Sequence, residues 1–301
     1  MNIVFRLGMV LCLAGMSPLA FGQEWQDRFF DSSGVRIRYI DQGTGEPVVL
    51  VHGYTGSIEM NWVAPKVFGE LAKNFRVIAL DCRGHGKSGK PHDPGQYGQE
   101  VALDVVRLLN HLKIPKAHIV GYSMGSVITA KLLTLAPNRF LDAVLGGQGA
   151  LLEPTDSEIR RFEELAGDVE KGSMRTLVSM ISPKGQPPPA EAMMEQAEIR
   201  FREVQDLPAL AAFARSVRNL KITNEQARRI HHPTMALIGS DDPFLEGIQQ
   251  LKLAMPELKI ITIQGANHAN AYWRPEFKQA LKEFLKTRST KSIQTNKFTI
   301  E

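Results

Sequence analysis

The sequence predicts an α/β fold: a mainly parallel central sheet flanked by helices. Three observations carry this expectation. Short apolar runs alternate with longer stretches of helical spacing. Most of those runs are continuous rather than alternating, as strands covered on both faces are. The alternation breaks once, over a long segment of helical character alone, and then resumes.

The elements follow in order. Val35 to Asp41 alternates apolar and polar residues, as a half-buried strand does, and Gly43-Thr44-Gly45 reads as a turn. Strands are expected at Pro47 to Val51, Phe75 to Leu80, Ala117 to Tyr122 and Phe140 to Leu145. Helices are expected at Trp62 to Lys73, Tyr97 to Leu112 and Met124 to Leu135; the second places Val101, Val105, Leu108, Leu109 and Leu112 on one face. From Ala150 to Ile230 no convincing strand appears. Helices at Ser157 to Leu165, Ser173 to Ile181, Glu191 to Val204 and Ala209 to Asn219 fill it, punctuated by Pro187-Pro188-Pro189. Strands at Thr234 to Gly239 and Lys259 to Gln264 then alternate with helices at Leu245 to Ala254 and Arg274 to Thr287.

The helical segment reads as an insertion after the strand at Phe140 to Leu145, the fifth of these strands and the sixth core strand of the expected fold. It is expected above the carboxyl ends of the strands, where such sheets bind ligands, as a lid. The expected organisation is a signal peptide over 1–22, a first core part over 23–147, a helical lid over 148–231, a second core part over 232–288 and a flexible tail over 289–301.

The first residues carry the signal expectation. Met1 to Arg6 is short and positive, Leu7 to Phe21 is nearly all apolar, and Ala20-Phe21-Gly22 supplies the small residues of a cleavage site. The stretch is short for a membrane span, so no stable span is expected after cleavage near Gln23, and the protein is expected to be exported, periplasmic or secreted. Cleavage removes Cys12 and leaves Cys82 without a partner for an internal disulfide, so its thiol is read as buried and structural. The 301 residues carry 43% hydrophobic and 23% charged residues and a net charge of +4, which is ordinary globular composition. Basic and acidic residues are interspersed, and with no basic stripe a nucleic-acid partner is excluded.

Gly121-Tyr122-Ser123-Met124-Gly125 matches G-x-S-x-G between a predicted strand and a predicted helix, the context the motif requires. The two glycines let strand and helix approach closely, and the sharp turn pushes the Ser123 hydroxyl above the sheet. A serine hydroxyl is a poor nucleophile until a base takes its proton. In enzymes with this elbow, nucleophile, acid and base follow in that chain order. Of eight histidines, His268 alone lies after the elbow on a loop at the carboxyl end of a strand. His52 and His85 sit in glycine-rich turns and read as structural, and His231 and His232 precede a strand. Gly239-Ser240-Asp241-Asp242-Pro243 follows the preceding strand and offers two carboxylates. Asp242 is favoured as the group that orients His268, with Asp241 as an Asx turn former and the competing candidate. Backbone amides of Met124 and Tyr54 are the expected oxyanion donors, the latter on the turn His52-Gly53-Tyr54 after a strand.

Taken with Val48 to Gly53, Asp81 to Ser88, Gly121 to Gly125, Gly239 to Pro243 and Gly265 to His268, the chain resembles the α/β-hydrolase superfamily, in its lid-bearing serine hydrolase and esterase branch. These motifs occur in the family's order across residues 35–287. The resemblance implies the α/β-hydrolase fold, no metal or organic cofactor, and a small-molecule ester-like substrate. It also implies that Asp81 to Ser88 shapes the rim of the site. Haloalkane dehalogenases and epoxide hydrolases of this fold carry aspartate where Ser123 stands, which sets them aside. The glycine-rich HGGG loop of one lipase branch is replaced here by His52-Gly53-Tyr54-Thr55-Gly56.

Three functions stay open on this reading: hydrolysis of carboxylic esters or lactones; hydrolysis of a carbon–carbon bond or of a peptide with a free amino terminus, as in proline iminopeptidases; and a non-catalytic ligand-binding module on the same fold. Glu163, Glu164 and Glu195 are the acidic residues that keep the aminopeptidase alternative open. Met174, Met180, Met193, Met194, Phe201, Leu207, Leu210 and Phe213 are read as the insertion's own core before pocket wall, and Tyr272 and Trp273 as rim. Oligomeric state is not legible.

Overall fold

The computed structural model describes residues 25–288. The predicted signal segment 1–22 and tail 289–301 lie outside the described residues. Eight strands form one sheet: β1 (Arg28–Ser32), β2 (Val35–Gln42), β3 (Pro47–Val51), β4 (Arg76–Leu80), β5 (Ala117–Tyr122), β6 (Phe140–Gly146), β7 (Thr234–Gly239) and β8 (Lys259–Ile263). Their spatial order is β1-β2-β4-β3-β5-β6-β7-β8. The run from β4 to β8 is parallel, while β1 and β2 pair antiparallel at one end.

Side chains along each strand alternate between two cores. Val49, Val51, Ile119 and Leu145 pack against α2 (Gln99–His111), α3 (Met124–Leu135) and α9 (Leu245–Ala254). Val48, Leu50, Val120 and Val144 face α1 (Val67–Ala72) and α10 (Pro275–Arg288). Burial on both faces explains why these strands read as unbroken apolar runs.

The insertion consists of α4 (Asp156–Glu170), α5 (Arg175–Ile181), α6 (Glu191–Val204), α7 (Leu207–Ser216) and α8 (Asn224–Arg228), between β6 and β7. Its two strands of connecting chain meet at a parallel bridge between Leu152 and Ile222. It has its own apolar cluster, including Leu165, Val169, Met174, Met194, Phe201 and Leu210.

Two elements differ from the sequence expectation, and two are additional. The helix expected over Trp62 to Lys73 is broken: a wide helical turn at Glu59–Val63 ends before Pro65, and α1 starts after Lys66, whose φ is 66°. Proline removes the amide a continuous helix needs there. The helix expected over Ser157 to Leu165 runs on to Glu170, because Leu165, Ala166 and Val169 are buried under the insertion's other helices. Strand β1 was not expected. It is an edge strand with one partner, and Phe29 lies under the Arg36 guanidinium at 3.5 Å rather than in a core. Helix α8 is five residues long, and its Thr223–Gln226 capping box is its only sequence signal.

Sheet register sets where the loops emerge. Val51 pairs with Gly121, Tyr122 with Gly146, and Gly239 with Ile263. The turns after β3, β5, β7 and β8 therefore leave the sheet along one edge. Chain order reverses between β3 and β5, the crevice where open parallel sheets place ligands.

Candidate active site

The turn between β5 and α3 is tight because both its glycines must be glycines. A Cβ on Gly121 would lie 2.1 Å from the Gly125 carbonyl oxygen, and one on Gly125 would lie 2.0 Å from that of Val51. Ser123 between them has φ 54° and ψ −118°, a region L residues rarely occupy. Its amide donates to the Gly146 carbonyl at 2.8 Å, which holds the turn against β6. The Ser126 hydroxyl donates to the carbonyls of Gly121 and Gly146 at 3.0 and 2.9 Å.

Around Ser123 the loops after β7 and β8 converge. His268 Nε2 lies 2.9 Å from Ser123 Oγ, and His268 Nδ1 lies 3.0 Å from Asp242 Oδ2. The three residues, 145 positions apart at most, form one hydrogen-bonded line, with Asp242 and His268 buried. The second Asp242 oxygen accepts the Phe244 amide at 3.0 Å. Asp241 is exposed and accepts the Ser240 hydroxyl at 2.9 Å. The Asx-type bond expected of Asp241 thus belongs to Asp242, because the carboxylate that turns inward also closes the loop. Gly239 permits this approach: a Cβ there would sit 2.1 Å from the Ala266 carbonyl oxygen.

Two residues that the sequence did not single out fix this line. The Tyr122 phenol donates to the His268 carbonyl at 2.6 Å. The Phe244 ring packs edge-on against the His268 imidazole, with centroids 5.0 Å apart. Both are neighbours in sequence of residues already named, but their direction depends on the fold.

The turn after β3 faces Ser123 from the other side. The Gly53 Cα approaches so closely that a Cβ would lie 3.2 Å from Ser123 Cβ. The Gly53 amide donates to Asn61 Oδ1 at 2.8 Å, and the Gly56 amide to the Gly53 carbonyl at 3.0 Å. The amides of Tyr54 and Met124 donate to no protein acceptor among the described residues. Both residues line a cavity with Ser123.

That cavity is small, about 70 Å³, and apart from Ser123 and Gln148 its walls are mostly apolar: Val127, Leu165, Leu177, Met180, Phe213 and Val217 among them. A larger cleft of about 920 Å³ opens beside it between α4, α5 and the start of α9. Gln148, Phe162, Met180 and Phe244 line both. Met180 and Phe213 are pocket wall and Met194 lines the larger cleft, whereas Met174, Phe201 and Leu210 lie in the insertion's own core. Tyr272 packs on Tyr122 at 4.6 Å and on Trp273 at 6.0 Å, and neither residue lines either cavity. The short helical turn at Ala271–Trp273 packs Tyr272 against Tyr122 and the core instead of into either cavity.

Most of the stretch Asp81 to Ser88 is buried, with Gly86 and Lys87 exposed, and none of it lines either cavity. Asp81, Arg83 and His85 are fully buried. Asp81 accepts the amides of Ile58 and Lys87, each at 2.8 Å, and a guanidinium N–H of Arg38 at 2.9 Å. Arg83 pairs with buried Asp104 at 2.6 Å. His52 Nε2 accepts the Cys82 amide at 3.0 Å, so its Nδ1–H donates to the Gly53 carbonyl at 2.8 Å. Burial holds His52 below its ordinary value and His85 down at about 3, so both are neutral braces. Burial also pushes the Cys82 thiol well up, which fits a structural thiol.

Among the described residues no cluster of three His, Cys, Asp or Glu side chains is arranged to hold a metal ion. No described helix is long and apolar enough to cross a membrane.

A family model for the alpha/beta hydrolase fold matches residues 46–171, from the start of β3 through the elbow into α4. The sheet order and the loop positions of Ser123, Asp242 and His268 extend that match beyond its end. The chain has the α/β-hydrolase fold.

Similar proteins span several reactions. The chain is 29% identical over 241 residues to the dihydrolipoyllysine-residue acetyltransferase component of an acetoin cleaving system from Pseudomonas putida; the match covers 78% of this chain and 62% of that one, less than two thirds of its length. It is 28% identical over 228 residues to the 2-hydroxy-6-oxo-6-(2'-aminophenyl)hexa-2,4-dienoic acid hydrolase of Metapseudomonas resinovorans, covering 72% of this chain and 74% of that one. Among solved structures, a carboxylesterase of the thaumarchaeon Nitrososphaera gargenis superposes with a TM-score of 0.70 at 24% identity, over 88% of this chain and all of its own chain.

Proposed function

We propose that this α/β-hydrolase cleaves carboxylic esters or lactones with a short acyl part, through an acyl-enzyme on Ser123. The observation that carries the reading is the line Asp242–His268–Ser123, with contacts of 3.0 and 2.9 Å. His268 takes the Ser123 proton as Oγ attacks the ester carbonyl carbon. The carbonyl oxygen becomes an oxyanion held by the amides of Tyr54 and Met124. The carbon–oxygen bond to the alcohol breaks, and the alcohol leaves with the proton from His268. Water, deprotonated by His268, then attacks the acyl-enzyme, and Ser123 Oγ recovers the proton as the acid departs. Asp242 holds the imidazole with Nδ1 protonated and offsets its positive charge.

The two cavities suggest which end of the substrate goes where. The leaving alcohol must lie on the side of His268, where Pro243 and Phe244 line the larger cleft. The acyl part then occupies the small cavity beside Met124 and Val127. At about 70 Å³ against about 920 Å³ for the cleft, this cavity fits the smaller part of the substrate. The helical insertion roofs this cavity and acts as a lid in this reading. The N-terminal stretch 1–22 acts as an export signal, which sequencing the amino terminus of the recovered protein tests.

Carbon–carbon bond hydrolysis is the second reading, favoured by the similarity to the dienoic acid hydrolase over 72% of this chain. The aminopeptidase reading has less support: Glu163, Glu164 and Glu195 are exposed and line neither cavity.

The test is hydrolysis of p-nitrophenyl esters of increasing acyl length, with Ser123→Ala alongside. The expected result is turnover fastest on short acyl chains and a loss of about three orders of magnitude or more in the variant. Labelling of Ser123 by a fluorophosphonate without ester turnover would shift the substrate to the carbon–carbon reading. A folded protein that neither turns over nor labels would leave only a ligand-binding role.

A further inference from the structure

We propose that the side chains of Tyr54 and Gln205 are positioning residues for the oxyanion donor, so that the donor is in place only while the helical insertion is seated on the turn after β3. The inference rests on the esterase reading above.

The turn from Gly53 to Gly56 is strained where it supplies its donor. Thr55 has φ 59°, and a β-branched residue at that angle is an outlier that surrounding contacts must hold. Turns with a positive φ at the third position ordinarily place glycine there. Within the turn, only the Gly56 amide to Gly53 carbonyl bond closes it. The contacts that hold its outer edge come from the insertion. Gln205, at the end of α6, donates its side-chain amide to the Thr55 carbonyl at 3.0 Å. The Tyr54 phenol donates to the Leu210 carbonyl in α7 at 2.9 Å. The Tyr54 ring lies against Phe213 of α7, with centroids 5.6 Å apart, and edge-on to buried His85 at 5.7 Å. Burial pushes the Tyr54 phenol well above its ordinary value, so it remains a neutral donor.

The amide of Tyr54 is therefore clamped on two sides. Beneath it stand His52 and His85, which belong to the core. Above it stand Gln205, Leu210 and Phe213, which belong to the insertion. Lifting α6 and α7 breaks both hydrogen bonds at once and frees the one residue whose backbone angle is held by them. An oxyanion donor that rotates by a few tenths of an ångström loses part of its effect in the transition state but little in substrate binding. The arrangement makes chemistry depend on closure through two side chains that lie outside the line Asp242–His268–Ser123.

The experiment uses the full chain with Tyr54→Phe, Gln205→Ala and the pair. Tyr54→Phe keeps the ring and the backbone amide, and Gln205→Ala removes only a half-buried side chain. Each variant is expected to lower kcat about tenfold on a short-chain p-nitrophenyl ester with KM within twofold. Affinity for a trifluoromethyl ketone that forms a tetrahedral adduct on Ser123 is expected to fall by the same factor. Affinity for the corresponding carboxylic acid product is expected to stay within twofold. Gln205→Asn, one methylene short of the Thr55 carbonyl, is expected to recover part of the loss. Unchanged adduct affinity in folded Gln205→Ala, or a rise in KM with kcat intact, overturns the proposal and leaves these contacts as packing alone. A wild type inert to esters and to fluorophosphonate overturns the underlying reading and this inference with it, whereas an active wild type with indifferent variants overturns the inference alone.

Discussion

The phenol of Tyr122 reaches across the site to the main-chain carbonyl of His268, 2.6 Å away. The residue immediately before the elbow serine thus anchors the loop that carries the histidine. Ser123 and His268 belong to different turns, after β5 and after β8, and nothing in the sheet itself connects those turns directly. The hydrogen bond fixes their spacing from below while Asp242 fixes the imidazole's rotation from the side. Tyr122→Phe leaves a buried carbonyl without its donor, which typically costs about 1–3 kcal/mol. We expect about a tenfold loss of kcat on the best ester, with labelling of Ser123 slowed in proportion. Turnover within twofold of wild type would show that the loop holds itself.

Asp242 and Asp241 differ by one position and by everything around them. Asp242 is buried and faces His268, whereas Asp241 is exposed. Asp242→Asn preserves the shape but favours the wrong imidazole tautomer, and a loss of about 10³–10⁴ in kcat is expected. Asp241→Asn is expected to stay within threefold. Steady-state kinetics of the two variants side by side decide between them, and a reversed ranking would reassign the acid.

Ser123 stores strain at φ 54° and ψ −118°. Glycine adopts that conformation without penalty, though it loses more entropy on folding. Ser123→Gly is expected to raise stability by about 1 kcal/mol, measured by urea unfolding, while abolishing ester turnover. A destabilised Ser123→Gly protein would mean that the elbow's hydrogen bonds, and not its backbone angles, dominate there.

His85 sets a pH dependence of stability. Its folded value is held down at about 3 by burial, with the neighbouring His52 acting in the same direction, against an ordinary 6.5. Below pH 6.5 the unfolded chain takes up a proton that the folded chain refuses, so stability is complete above that pH and falls as pH drops toward 3. At pH 5 the loss from this group is about 2 kcal/mol. Urea titrations at pH 7 and pH 5 test this, with His85→Asn expected to flatten the difference while keeping a donor for the Arg83 carbonyl. Equal stability of the wild type at the two pH values would contradict it.

Much of the fold was legible because it is written in local patterns. Strands β3, β5 and β7 and helices α3, α6 and α9 match their expected bounds, since burial on two faces or on one stripe leaves an unambiguous period. Strand β1 was not legible, because an edge strand with a single partner needs no continuous apolar run. The elbow was legible for a steric reason: two glycines stand where a Cβ would meet backbone within 2.1 Å.

The sequence alone determined the residue types and their chain order: a serine on a glycine-flanked turn, an aspartate pair after one strand, a histidine after the next. Composition and local period carry that information because each depends on neighbours within a few residues. Only the tertiary structure decided which aspartate turns inward, and that Tyr122 and Phe244 fix the histidine. It also buried Asp81, Arg83 and His85 and tied the insertion to the turn after β3 through Tyr54 and Gln205. Those facts rest on contacts between residues tens to hundreds of positions apart. Side-chain direction at such contacts is set by sheet register and burial, and no local pattern encodes either.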